Sequence, residues 1–215
     1  SVGAQYSVEA STGTNGGYGV IYSSNYATSV THNGLTANTT YFYKVRAKNF
    51  DSVWTAYNTE DTTHTLSNIP GAVTFSYVGV SSATVYLASN TNPAGTQYSV
   101  EASTGNNTSY GVLYTGNYKA SVEHFGLSVN TTYYYRVRAR NFDSVWTNYG
   151  TEESSHTLAA APGAITVGTV NESSVQISWT DTNSAGTQYS VEASTGVNTA
   201  YGVIYSGNYV ANVTH

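Results

Sequence analysis

The strongest constraint on this chain is that it repeats itself at the length of a small domain. The block Gly3-Ala4-Gln5-Tyr6-Ser7-Val8-Glu9-Ala10 returns from Gly95-Thr96-Gln97-Tyr98 and from Gly186-Thr187-Gln188-Tyr189, so Gln5, Gln97 and Gln188 lie 92 and 91 residues apart. A second landmark, Asn38-Thr39-Thr40-Tyr41, recurs as Asn130-Thr131-Thr132-Tyr133. Solenoid units run to roughly 20–50 residues, so a period this long reads as a whole domain. The 215 residues begin and end inside the block. A window on a longer array is therefore expected, in which case the first residue is not a biological N-terminus and the lack of a signal peptide says nothing.

Only 9% of residues are charged, against about 25% in an average globular protein. The surface must then be covered by Ser, Thr, Asn, Gly and the 21 Tyr residues, which fits an extracellular module better than a cytosolic enzyme. Cys is absent, which removes disulfides and thiolate metal sites and leaves the fold to its apolar core. A net charge of -5 without any basic cluster argues against nucleic acid. No apolar run reaches the roughly 18–20 residues of a helical membrane span.

Alternation with a period of two dominates. Tyr98, Val100 and Ala102 point one way and Gln97, Ser99 and Glu101 the other, which predicts a half-buried strand. Tyr133, Tyr135, Val137 and Ala139 are likewise predicted to face inward, with Arg136, Arg138 and Arg140 in water. Further strands are expected at Ile165–Asn171 and Val175–Trp179, and around Tyr110–Tyr114, Lys119–His124 and Glu152–Thr157. Asn, Gly, Ser and Pro clusters separate them, and no stretch carries a helical stripe. About seven short strands per repeat predict an all-β fold of tandem immunoglobulin-like sandwiches. Short joints containing Pro70 and Pro162 should allow limited bending only, giving a semi-rigid rod of roughly 30 Å per unit at ~3.3 Å per strand residue.

Two stretches carry a resemblance to a known family. Gly126-Leu127 through Asn130-Thr131-Thr132-Tyr133 to Val137 and Ala139, with its counterpart from Gly34-Leu35 to Tyr41, Val45 and Ala47, resembles the loop and sixth strand of fibronectin type III domains. The resemblance spans essentially the whole chain and implies tandem fibronectin type III-like domains of a bacterial extracellular protein. It implies strands C–G in a partial domain over 1–68, a complete domain over 69–160, and strands A–E in a partial domain over 161–215. Neither end piece is expected to fold alone. Tyr41 and Tyr133 would form the tyrosine corner, and Val175-Gln176-Ile177-Ser178-Trp179 resembles the second strand with its core Trp. Leu87 stands where Trp179 does, so core packing should differ between units.

Candidate contact residues cluster in two places. Phe50, Asp51 and Trp54, repeated as Phe142, Asp143 and Trp146, fall in the loop where relatives carry adhesive motifs, although no Arg-Gly-Asp occurs. The competing structural reading makes the loop a turn whose Trp lids the sandwich end. Tyr110, Tyr114 and Tyr118, spaced by four, could form an outward ladder for a sister chain or a sugar, or could pack across strands. Glu9, Glu101 and Glu192 are expected to be exposed cross-strand partners of basic residues, worth ~0–1 kcal/mol. His32, His124 and His215 fall near one strand and His64 and His156 on another of the opposite sheet, so no metal site is expected. Asn38, Asn106, Asn107, Asn130, Asn171 and Asn212 begin glycosylation sequons.

No catalytic motif and no cofactor-binding motif occurs. The expected role is a non-enzymatic structural or adhesive segment of an extracellular repeat protein, forming a stalk or filament. Its expected partners are neighbouring repeats, sister chains in a fibre, and surface glycans or proteins. The alternatives are a spacer array in a secreted carbohydrate-active enzyme and a phage or virion surface decoration.

Overall fold

A computed structural model describes residues 3–13, 16–197 and 200–215, and among them every regular element is a β-strand. Repeat 1 forms β1 (Gln5–Ser11), β2 (Gly19–Asn25), β3 (Thr40–Lys48) and β4 (Asp61–His64), paired in the order β2-β1-β3-β4. Repeat 2 forms β5 (Thr74–Val78), β6 (Ser82–Tyr86), β7 (Gln97–Ser103), β8 (Gly111–Asn117), β9 (Ser121–Phe125), β10 (Thr132–Arg140) and β11 (Glu153–His156). These make two sheets, β5-β6-β9 and β11-β10-β7-β8. Repeat 3 forms β12 (Thr166–Val170), β13 (Val175–Ser178), β14 (Gln188–Ala193), β15 (Gly202–Asn208) and β16 (Val213–Thr214), in sheets β12-β13-β16 and β14-β15. All pairs are antiparallel.

Repeat 2 is a closed sandwich because its strands alternate. Along β10 the odd-numbered residues Tyr133, Tyr135, Val137 and Ala139 are buried while Arg136, Arg138 and Arg140 are half-exposed. Tyr98 and Val100 of β7 join them, and Val85, Leu87 and Val122 come from the opposite sheet, forming one core. In repeat 3 the corresponding core is smaller, with Trp179 taking the place of Leu87 against Tyr189 and Val191. Tyr118 and Tyr209 play the same part in the two repeats, donating their hydroxyls to the carbonyls of Leu87 and Trp179.

A strand around His32 was expected in repeat 1, but the described residues there form none. The reason is visible in repeat 2, where β9 pairs only with β6. Among the described residues of repeat 1 no strand corresponds to β6, so this segment has no ladder partner there.

The loop before β10 is pinned from inside. Tyr133 accepts a hydrogen bond from Ser128 N at 2.9 Å, and Tyr41 accepts one from Thr36 N at 3.0 Å. Tyr133→Phe leaves that backbone N–H without its partner. A loss of about 1–2 kcal/mol in urea unfolding of repeat 2 is expected, read as a lower midpoint at unchanged slope. Nearby, burial, with Tyr133 beside it, pushes the Tyr135 hydroxyl up to about 12. Burial also holds His124, whose Nδ1 is 3.1 Å from that hydroxyl, below its usual range.

Candidate functional site

Two places collect the chemistry-bearing side chains: the outward face of the four-stranded sheets, and the seams between repeats.

On the outward face of repeat 2, Glu101 of β7 stands opposite Arg136 of β10 in register. It accepts from Arg136 Nε at 2.9 Å and Nη2 at 2.6 Å, and from the Tyr149 hydroxyl at 2.6 Å. Arg138 Nη2 lies 3.5 Å away. The guanidiniums are interleaved with rings. Arg136 is 3.8 Å from the Tyr110 centroid and 3.9 Å from that of Tyr149. Arg138 is 4.7 Å from both Tyr149 and Trp146, and Arg140 is 5.5 Å from Trp146. Each planar cation is thus stacked as well as hydrogen-bonded.

Glu101 is therefore not the exposed partner that alternation alone suggests. Only 5% of its surface is accessible, and Glu9 in repeat 1 is nearly the same at 6%. Burial by itself would push the Glu101 carboxyl up. The Tyr149 hydroxyl and the two guanidiniums outweigh it and hold the carboxyl below its usual range. Conversely, burial and the bond to Glu101 push the Tyr149 hydroxyl up. Repeat 1 rebuilds the ladder with Tyr18, Lys44, Tyr57, Arg46 and Trp54 around Glu9, the Tyr57 hydroxyl donating to the carboxylate. Glu192 of repeat 3 faces only Val203 of β15 among the described residues and is exposed.

Trp54 and Trp146 do not cap the sandwich ends. Each forms an isolated bridge to the end of its neighbouring strand, with Lys48 and Arg140, and lies along the sheet face as the outermost rung.

The three tyrosines of repeat 2 do not form one row. Val100 pairs with Tyr114 and Glu101 with Val112, which leaves Leu113 as the extra residue of a β-bulge. The bulge reverses facing, so Tyr110 lies outward against Arg136 with its hydroxyl on Glu152, whereas Tyr114 packs against the core. Tyr118 packs edge-on against Tyr98 at 5.5 Å. The sequence spacing of four hides this, because a one-residue bulge has no signal in periodicity alone.

The seam between repeats 1 and 2 centres on Asn38, fully buried and held at φ 43°. Asn tolerates this left-handed conformation better than most residues. Its Nδ2 donates to Thr96 Oγ1 at 2.8 Å, and its Oδ1 accepts from Phe142 N at 2.8 Å. Asn141 Nδ2 reaches Thr65 O at 3.2 Å. Asp143 clasps His64 twice, through the backbone N at 3.1 Å and Nδ1 at 2.7 Å, while the Phe142 ring lies 5.6 Å from the His64 ring. On the other side Asn68 N donates to Asn92 Oδ1 at 2.7 Å. The seam between repeats 2 and 3 reuses this scheme: Asn130, also at φ 43°, donates to Thr187 Oγ1 at 2.7 Å, and Ala160 N to Asn183 Oδ1 at 2.6 Å. Of the histidines and sequon asparagines, His64, Asn38 and Asn130 are the ones these seam bonds engage. Asn38, with no accessible surface, is a joint residue and not a glycan acceptor in this fold.

Phe142 and Asp143 thus reach a seam while staying exposed, Phe142 by 46%, and their counterparts Phe50 and Asp51 are exposed as well, Phe50 by 79%. Among the described residues no group of three or more His, Cys, Asp and Glu side chains could hold a metal ion, and no helix is long and apolar enough to cross a membrane.

The sequence matches no family model and no curated protein. Solved structures of similar backbone course include the crystal structure of chicken CNTN1 FN1–FN3 domains, at 15% identity and a TM-score of 0.38 over 72% of this chain and 56% of that one. This chain therefore spans just over half the length of that structure. The fibronectin type III domain of human fibronectin type III domain containing protein 3 aligns at 17% identity and TM-score 0.37, over 42% of this chain and 84% of that one. A fibronectin type III domain derived from human KIAA0970 protein gives 18% and 0.37, over 45% and 76%. The fold assignment rests on the strand pairing and packing described above.

Proposed function

We propose that this chain is a non-enzymatic structural or adhesive segment of a bacterial extracellular repeat protein, in which units bounded at 1–68, 69–160 and 161–215 stack into a stalk or filament. The observation that carries this reading is the reuse of one joint formula. An Asn at φ 43° in one repeat bonds a Thr hydroxyl in the next at both seams. A joint satisfied through a buried hydrogen bond at the first seam and a part-buried one at the second resists bending, because a broken bond strands a polar group, at about 1–3 kcal/mol where it is buried. Repetition then extends the rod without adding chemistry.

The outward ladder supports the same role. Its carboxylate is consumed by two guanidiniums and a phenol, so it stiffens a weakly charged sheet face and offers no free acid or base. Phe50, Asp51 and the outer aromatic rungs Trp54 and Trp146 are the proposed points of contact with neighbouring units, sister chains, or surface glycans or proteins.

Electron microscopy of the parent polypeptide tests the reading. Rods lengthening with the number of repeats are expected. Isolated globules would contradict it, and a catalytic domain beside a short array would favour the enzyme spacer instead.

A further inference from the structure

We propose that a pocket at the end of repeat 2, beside the first seam, binds one acidic sugar unit of a glycan chain through Arg140. The proposal deepens the adhesive side of the reading above and rests on it, naming the ligand class and the site.

The pocket is built entirely from repeat 2, the unit whose two sheets close over one core. It has a volume of about 250 Å³ and is lined by Gly95, Gln97, Arg140, Asn141, Phe142 and Ser144. That is the space of about eight waters at ~30 Å³ each, room for a single sugar ring. Its walls are fixed. Gly95 stands at φ 89°, and a Cβ there would meet the Phe142 ring at 3.3 Å, so the ring lies against bare backbone. The loop is tied by Asn141 N donating to Val145 O at 3.0 Å and by Val145 N donating to Asn141 Oδ1 at 2.8 Å.

An unpaired guanidinium names the charge of the ligand. Lys44 and Arg46 meet Glu9, and Arg136 and Arg138 meet Glu101, whereas Arg140 meets no carboxylate among the described residues. Its one acceptor among them is Gln97 Oε1 at 3.4 Å, and its Nε is buried without a partner. Asp143, the carboxylate of the same loop, is engaged at the seam, where it accepts from His64 N at 3.1 Å. A planar fork of donors left open in this way is matched by a carboxylate. The layout recurs in repeat 1. Lys48 pairs with Gln5 in register as Arg140 does with Gln97, meets no carboxylate either, and has Phe50 lying over Gly3. A chain carrying one carboxylate per sugar can therefore engage both repeats, the second contact being intramolecular once the first is made.

The rest of the lining selects a sugar over an acidic peptide. β7 and β10 are interior strands, each paired on both sides, so the pocket has no open strand edge to hold a peptide backbone. It offers instead an apolar wall, Phe142, for the C–H groups of a sugar, with the Gln97 amide and the Ser144 hydroxyl for its O–H groups. Trp146, 5.5 Å from Arg140 and 4.7 Å from Arg138, continues the aromatic surface along the sheet toward a neighbouring sugar.

Titrating the isotope-labelled 215-residue protein with a galacturonate hexamer, read by NMR, tests the proposal. Saturable shifts are expected at the Arg140 Nε–H and at the Phe142 and Ser144 amides. The methyl-esterified hexamer, with the same rings and no charge, should bind about tenfold more weakly, the scale of one lost charged hydrogen bond. Arg140→Gln should weaken binding by about the same factor. Lys119→Gln, an equal loss of charge at another residue without a carboxylate partner, should leave it unchanged. Gln97→Glu supplies the absent carboxylate from within and should abolish binding with the fold intact, a readout that stands even if Arg140→Gln disturbs the Trp146 stack. Rods seen by microscopy without binding would sink this inference alone, and binding by isolated globules would sink the stalk reading alone. The inference is overturned by the absence of saturable shifts at these residues, by equal binding of the ester, or by an equal loss in Lys119→Gln. Hexaglutamate binding as tightly as the galacturonate hexamer overturns it too, because the pocket would then belong to acidic peptides.

Discussion

Asn38→Ala should uncouple repeats 1 and 2 while leaving repeat 2 folded. The substitution removes the donor to Thr96 Oγ1 and the acceptor of Phe142 N, both at 2.8 Å, and leaves those groups unpaired. It also places an alanine at φ 43°. Stranded buried polar groups cost about 1–3 kcal/mol each, and the left-handed backbone adds roughly 1–2 kcal/mol for a residue without a helpful side chain. A loss of about 3 kcal/mol of coupling between the repeats is expected. Hydrogen exchange at the Phe142 amide reads it directly: the amide should become strongly exposed, with Val100 and Val137 still protected. Unchanged protection at Phe142 would show that the Asn38 carboxamide does not hold the seam.

Glu101→Ala should be the most damaging polar substitution in repeat 2. It leaves Arg136 and the Tyr149 hydroxyl facing a cavity behind the aromatic rungs. Breaking a buried pair by removing one partner costs about 3–5 kcal/mol. The guanidinium side chains here are 26% and 29% exposed, so solvent recovers part of this, and about 2–3 kcal/mol is expected. Glu101→Gln, which still accepts from Tyr149, should fall between the two.

The pH dependence has a defined sign. Because Glu101 titrates below its usual range when folded, its contribution is complete above the unfolded carboxylate value of about 4.3. It is lost as pH falls through the lower folded value. Wild-type stability should therefore drop more steeply below about pH 4 than that of Glu101→Gln. Parallel acid profiles for the two proteins would mean the carboxylate is not held as described.

Much of the sandwich was legible because strand alternation is a local property. Tyr133, Tyr135, Val137 and Ala139 announce the buried face of β10, and Asn-Thr-Thr before each Tyr announces the turn. The candidate site was less legible, for three physical reasons. Outward facing does not mean exposed: Glu101 is covered by rings and guanidinium stems that arrive from residues 110, 136 and 149, which periodicity cannot bring together. The bulge at Leu113 turns Tyr110 and Tyr114 to opposite faces without altering their spacing. Asn38 and Asn130 sit in polar turns and inside sequons, and only the next repeat reveals why an amide is needed there. The repeat itself held the missed signal, since Thr96 and Thr187 recur at the same place in repeats 2 and 3 and each accepts from an Asn of the repeat before it.

The most direct test of the account is a set of residual dipolar couplings from the backbone amides of repeats 1 and 2 in the unsubstituted 215-residue chain. If each repeat is a separate β-layered unit fixed to its neighbour through the Asn38 seam, both sets of couplings fit one alignment tensor, and Asn38→Ala splits them into two. Two independent tensors in the unsubstituted protein would contradict the claim, because the hydrogen bonds in which Asn38, Asn141 and Asp143 take part would then not be holding the repeats in a fixed orientation.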